Sequence, residues 1–237
     1  MSGGLVFVIF GAFFALVIVL IVVGIIQAKK RREAFGLLAG QRGWTYVERD
    51  DQWVDVFDGA PFGQGHNRKA TNVLSGQYDG RPFIAFDYVY YTTETSTDSE
   101  GHTTTHEESH NFGIVGLDLV AELGDHPFPS LCVSPEGVFG RIIGRLTNRD
   151  IELESEDFNR AFTVTCPNRK FASDVLHPRM MEFLLAHPDS AFRFDRSWVL
   201  SVEAGQADLQ QVVPRLSVID AVLDNVPEFV WREVRGG

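Results

Sequence analysis

From Leu5 to Ile26 every residue is Leu, Val, Ile, Phe, Ala or Gly, and residues 1–28 contain no charged side chain. At a helical rise of about 1.5 Å per residue this run reaches roughly 33 Å, enough to cross the hydrocarbon core of a bilayer. A cleavable signal has a shorter apolar core, of about 7–15 residues, after a basic segment and before a small-x-small site. Met1-Ser2-Gly3-Gly4 carries no basic side chain, and Ile26-Gln27-Ala28 puts a bulky residue where cleavage needs a small one. The run therefore reads as an uncleaved anchor, with the lipid bilayer as its first partner.

Lys29, Lys30, Arg31 and Arg32 follow at once. Basic residues so close to a membrane end stay on the cytoplasmic side, so the expected topology is N-terminus out with the remainder inside the cell. The same four residues are the candidate lipid-contacting set, since anionic headgroups attract juxtamembrane cations. Gly11 and Ala15, four apart, offer a small-residue face on which the membrane helix could self-associate. The expected organisation is an anchor over 1–28, a basic juxtamembrane segment over 29–34 and a cytoplasmic domain over 35–237. That localisation, in the cell's inner membrane as a single-pass protein, keeps Cys132 and Cys166 reduced, as small buried hydrophobes.

The chain has 21 Lys+Arg against 32 Asp+Glu. Without the four juxtamembrane cations, 17 basic groups face 32 acidic ones, a balance of −15, which argues against nucleic acid as a partner. Fifteen of the 19 Phe lie beyond the apolar run and can fill a sizeable core.

Glu33 to Gln41 continues as helix, with Gly40 and Gly43 stopping it, and Trp44 to Val47 reads as strand. Asn72 to Tyr78, the turn signal Asp79-Gly80, and the aromatic run Pro82 to Thr93 form a hairpin. A second apolar strand, Phe112 to Leu119, follows the polar segment Thr93 to Asn111, which reads as an extended hairpin tip. Phe128 to Val133 is a further strand. Val138 to Ile143 reads equally as helix or strand. Strands flank an Asp157-Phe158-Asn159 turn, and Glu152, Glu154 and Glu156 would share one wet strand face. Pro178 opens a helix ending by His187-Pro188; Phe192 to Val202 is a strand or hairpin; and Leu209 to Val226 is amphipathic helix, bent or restarting at Pro214. Strands followed by helices give an α+β class: an N-terminal transmembrane helix, then a soluble antiparallel or mixed β-sheet domain covered by helices.

His106-Glu107-Glu108-Ser109-His110 matches the H-E-x-x-H pattern of zinc hydrolases, in which two His on one helical face hold zinc and Glu107 is the general base. That reading needs a helix over 104–112 and a third ligand, with Glu122 or His126 nearest in sequence. The Thr-rich context favours strand instead, where His102, His106 and His110 share a face at about 13 Å intervals and cannot hold one ion together. Gly63-Gln64-Gly65 lacks the third glycine and following helix of a phosphate loop. No catalytic residue and no cofactor is assigned. The leading expectation is a non-enzymatic binding or scaffolding module whose partner is another protein; the alternative is a membrane-tethered zinc hydrolase using His106, Glu107 and His110.

Glu154-Ser155-Glu156-Asp157-Phe158-Asn159-Arg160-Ala161-Phe162-Thr163-Val164 and Val175-Leu176-His177-Pro178-Arg179-Met180-Met181-Glu182-Phe183-Leu184 resemble a family of bacterial single-pass membrane-anchored proteins of unknown function. In it a D-F-N turn, an F-x-V strand and an L-x-P-x-x-M-E-x-L helix recur in this order. The resemblance implies a shared fold over roughly Phe35 to Val230 and brings no catalytic residue with it.

Overall fold

The computed structural model describes residues 3–97, 103–136 and 151–236. Val138 to Ile143, and His102, lie outside the described residues. The first helix, α1, runs unbroken from Gly3 to Arg42. Its apolar part, Phe10 to Ile26, is exposed on nearly every side, as expected for a surface that meets lipid. One helix among the described residues is long and apolar enough to span a bilayer. Gly40 does not stop it, because a single glycine costs only about 1 kcal/mol and the flanking Ala39 is buried. Gly43, at φ +68°, ends it, and the Trp44 amide turns back to the Ala39 carbonyl at 2.8 Å.

Among the described residues eight antiparallel strands follow in one sheet, in the order β1-β2-β3-β4-β8-β7-β5-β6. They are β1 Thr45–Arg49, β2 His66–Tyr78, β3 Arg81–Thr97, β4 Thr103–Asp118, β5 Phe128–Pro135, β6 Phe162–Thr165, β7 Phe192–Arg196 and β8 Trp198–Ala204. The β2–β3 hairpin turns on Asp79 and Gly80, both at positive φ, the conformation this dipeptide favours. Among the described residues the remaining α-helices are α2 Val120–Leu123, α3 Glu156–Ala161, α4 Arg169–Val175, α5 Pro178–Leu185, α6 Val212–Asn225 and α7 Glu228–Val234.

One face of the sheet carries the larger core, where Phe35 and Ala39 of α1 meet Leu74, Phe83 and Ala85 alongside residues from α3 to α7. The opposite face holds a second core in which Phe57 and Phe62, in the segment leading to β2, cover Phe86, Tyr88 and Ile114. The antiparallel α+β architecture expected from the sequence is present.

Three local expectations are corrected. The segment Asp157-Phe158-Asn159 is the body of α3, capped by Ser155, whose hydroxyl accepts from the Phe158 amide at 3.3 Å. Glu152 and Glu154 therefore precede a helix rather than alternating along a strand, and with Glu156 they are exposed. The polar segment after Thr93 is strand up to Thr97 and again from Thr103. Pro214 needs no bend, because it is the third residue of α6, where its missing N–H is not required.

Candidate functional site at the membrane exit

The face of α1 that docks on the sheet carries three residues at four-residue spacing, Arg31, Phe35 and Ala39. The last two are sealed in the core. Trp44, just past the helix, packs edge-on against Phe83 at 4.5 Å beside the β2–β3 turn. Arg31 lies further along β3, at Asp87. Hence the helix, followed back toward its N-terminus, leaves the domain on the side opposite the β2–β3 turn.

Asp87 is the centre of this exit. It sits within the apolar and aromatic stretch Phe83 to Tyr91 of β3, on the face shared by Phe83 and Ala85, and it is 5% exposed. A buried carboxylate is costly unless every acceptor position finds a donor. Here Arg31 Nη2 donates to both oxygens at 3.0 and 3.1 Å, Asn72 Nδ2 donates at 2.8 Å, and the Ala207 amide donates at 2.6 Å. Arg31 Nη2 also donates to the Ala207 carbonyl at 2.5 Å, and its guanidinium lies 5.0 Å from the Phe35 ring centre. Asn72, held at φ +51°, accepts from the Tyr46 hydroxyl at 3.0 Å. Burial, with Glu48 adding to it, raises the Tyr46 phenol above its ordinary pKa, so it stays a neutral donor. The membrane helix, β1, β2, β3 and the segment after β8 are thus joined at one carboxylate.

A buried cation backs this joint. Arg215 of α6 donates from Nε to the Ser201 hydroxyl at 3.1 Å and from Nη2 to the carbonyls of Ser201 at 2.6 Å and Gly113 at 3.0 Å. Burial lowers its pKa to about 10, with Glu203 at 3.3 Å opposing the shift. Gly113, directly across from Asp87 in the β3–β4 ladder, must be glycine: a Cβ there would sit 2.7 Å from Ala207 Cα. Its bare backbone lets the Ala207 segment come close enough to reach Asp87.

The four juxtamembrane cations separate into two pairs. Lys29 and Lys30 are exposed, and Lys29 meets Glu33 at 3.8 Å. Arg31 and Arg32 turn to the domain, the latter reaching Glu48 at 2.7 Å. In the membrane helix Gly11 has open space around its Cα.

The His-Glu-Glu-Ser-His segment is strand, and this corrects the zinc alternative. His106 pairs with Glu94 and His110 with Tyr90 across the ladder, so the two imidazoles stand four strand residues apart. Glu107 meets His66 Nε2 at 3.0 Å, while His110 stacks on Tyr90 at 4.7 Å and bonds Thr92 at 2.8 Å. Glu122, an expected third ligand, is held by Arg81 at 2.9 Å. Among the described residues no three His, Cys, Asp or Glu are placed to share an ion. His106 is exposed, and His106→Ala is expected to change stability by less than about 0.5 kcal/mol. A melting curve with and without added zinc checks this; a zinc-dependent rise lost in the variant would reinstate a metal site.

Cys132 and Cys166 are both free. Cys166 is in the larger core, whereas Cys132 is half-buried near Arg193, and burial pushes its thiol up to about 11. Neither is poised as a nucleophile. Beside Cys132, Arg193 binds Asp195 at 3.0 Å and the carbonyls of Asp58 and Ala60 at 2.7 Å each, fastening the second-core segment to the sheet.

Asp87 and Asn72 were not singled out from the sequence. The available signal was one acidic residue inside Phe83-Ile84-Ala85-Phe86-Asp87-Tyr88-Val89-Tyr90, where a buried charge demands a partner.

No family model matches the chain, and no curated protein sequence matches it. Among solved structures, the crystal structure of the mycobacterial trehalose monomycolate transport factor A superimposes with a TM-score of 0.54 at 14% identity, over 84% of this chain and 96% of that one. At that identity the likeness establishes a shared fold: an α+β domain built on an eight-stranded antiparallel sheet.

Proposed function

We propose that the chain is a single-pass, membrane-anchored, non-enzymatic accessory module, with its α+β domain at the cytoplasmic face holding another protein at a membrane-embedded assembly. The observation that carries this reading is the unbroken passage of α1 from the lipid-facing run into the core, pinned by Arg31 to Asp87. A flexible tether would suffice for an enzyme acting on a dissolved substrate. A pinned helix fixes the height and rotation of the domain above the bilayer, which matters when its surface must meet a partner that is also embedded.

One further observation supports it: the fold is shared with a protein named as a transport factor. An accessory role in transport is therefore the favoured form of the partnership. The cytoplasmic placement rests on Lys29 to Arg32, and the resemblance through the D-F-N and L-x-P-x-x-M-E-x-L segments fits the same anchored class.

The surface offered to the partner is the protruding end of the β3–β4 ladder. From Thr92↔Glu108 to Thr97↔Thr103 these strands pair beyond the last β2 register at His66↔Tyr91 and the last β8 register at Phe112↔Ala204. It projects toward the side from which α1 leaves. A photo-crosslinking residue at exposed Thr95, in living cells, is expected to trap one integral membrane protein, whereas the same residue at Asp79, in the β2–β3 turn, is not. Equal adducts at both positions, or none at Thr95, would count against the reading.

A further inference from the structure

We infer that the cleft between α1 and the β1–β2 edge is a binding site for the headgroup of an anionic phospholipid from the surrounding leaflet. The cleft holds about 590 Å³ and is walled by Gln27, Arg31 and Arg32 on the helix, by Glu48, Arg49 and Asn72 on the sheet, and by Gln206 after the last strand. Its helical wall, from Gly24 to Arg32, spans nine residues, a rise of about 12 Å at 1.5 Å per step. The uncharged run ends within that stretch, at Ala28. The cleft therefore begins at the edge of the hydrocarbon and continues through the layer in which headgroup phosphates lie, roughly 5–8 Å thick on each side. A lipid packed against this side of α1 has its acyl chains along the apolar run and its phosphate between the arginines.

The chemistry of the walls fits an anion. Three guanidiniums line the space, and each is committed to a carboxylate through only one or two of its nitrogens: Arg31 to Asp87, Arg32 through Nη1 to Glu48, and Arg49 through Nε and Nη2 to Asp51. Each keeps further N–H donors. The Arg32–Glu48 and Arg49–Asp51 pairs are exposed, with about half of each arginine side chain in solvent. Such pairs hold weakly and can be exchanged for a phosphate, which guanidinium binds in two-point fashion. Asn72 and Gln27 add neutral polar groups at the same level. Lys29 and Lys30, by contrast, face away and supply only generic surface attraction.

The test uses the full chain in detergent, loaded with phosphatidylglycerol or phosphatidylcholine and weighed intact by native mass spectrometry. The wild-type protein is expected to retain one phosphatidylglycerol in preference to phosphatidylcholine. Arg32→Gln/Arg49→Gln is expected to hold it at least about tenfold less well, because two charge-assisted contacts to phosphate are lost. Gln206→Glu, which adds a repelling charge at the cleft without removing any ion pair, should weaken retention in the same direction, and Lys29→Gln/Lys30→Gln should leave it unchanged. Equal retention of the two lipids, unaltered retention in both cleft variants, or an equal loss in the lysine variant would overturn the assignment. Full displacement by inorganic phosphate would also overturn it, by showing a site for the free anion.

Discussion

Replacing Asp87 with alanine is expected to destabilise the protein by about 3 kcal/mol, the lower end of the cost of removing one partner from a buried ion pair. Arg31 loses the acceptor of two bonds, Asn72 one, and the Ala207 amide one. The Arg31 side chain is 28% exposed and can recover some hydration, which is why the lower figure applies. For a domain of this size the melting midpoint should fall by roughly 6–12 °C. Asp87→Asn keeps an acceptor for Arg31 but gives up the charge, and should fall between alanine and wild type. Thermal melts of the three proteins in one detergent check this order. A melt unchanged by alanine would mean that the joint contributes nothing to the fold.

A second large effect is expected at Phe158. Its ring is fully buried and stacks on Phe162 at 5.0 Å, so Phe158→Ala should cost about 4 kcal/mol through lost burial and the cavity left behind. The neighbouring Asn159 bonds the backbone of Leu153 twice, accepting from its amide at 3.0 Å and donating to its carbonyl at 2.8 Å. Its truncation should cost about 1–2 kcal/mol. Denaturant unfolding of both variants checks these values. The D-F-N segment then owes its residue pattern to packing and to pinning the strand-like stretch before α3. If Phe158→Ala unfolded like wild type yet lost the membrane partner, the segment would be a recognition surface instead.

The parts legible in the sequence are those whose causes are local. The apolar run, the Asp79-Gly80 turn, Pro178 at the start of α5 and the apolar face of α6 each declare themselves within a few residues. Helices α4 and α7 were not anticipated, because seven residues make two turns and give the 3.6-residue period too little length to register. The stretch around Thr93 and Thr105 has strand-forming threonines but no apolar alternation, so it reads as an extended hairpin tip; its partner strand, not its own pattern, makes it part of the ladder. Asp157-Phe158-Asn159 resembles a turn because Asp and Asn favour turns, and the Ser155 cap tips it to helix.

The exit site was hidden for a different reason. Asp87 is 56 residues from Arg31 and 120 from Ala207, and no pattern within a window of sequence predicts such a meeting. The same distance explains the reassignment of the basic cluster. As a string, Lys29 to Arg32 is four equivalent cations; on a helix docked to a sheet, Arg31 reaches Asp87 and Arg32 reaches Glu48, and the two lysines do not meet the sheet.

The membrane helix and the domain are expected to move as one body, and the distance between spin labels at Val19 and Ser130 in lipid nanodiscs measures this directly. Both positions are exposed, and Cys132 and Cys166 are replaced to leave only the two labels. A single narrow distance distribution is predicted, broadening in Asp87→Ala. A broad distribution in the otherwise wild-type protein would contradict the account, because it would show the domain swinging freely on its anchor.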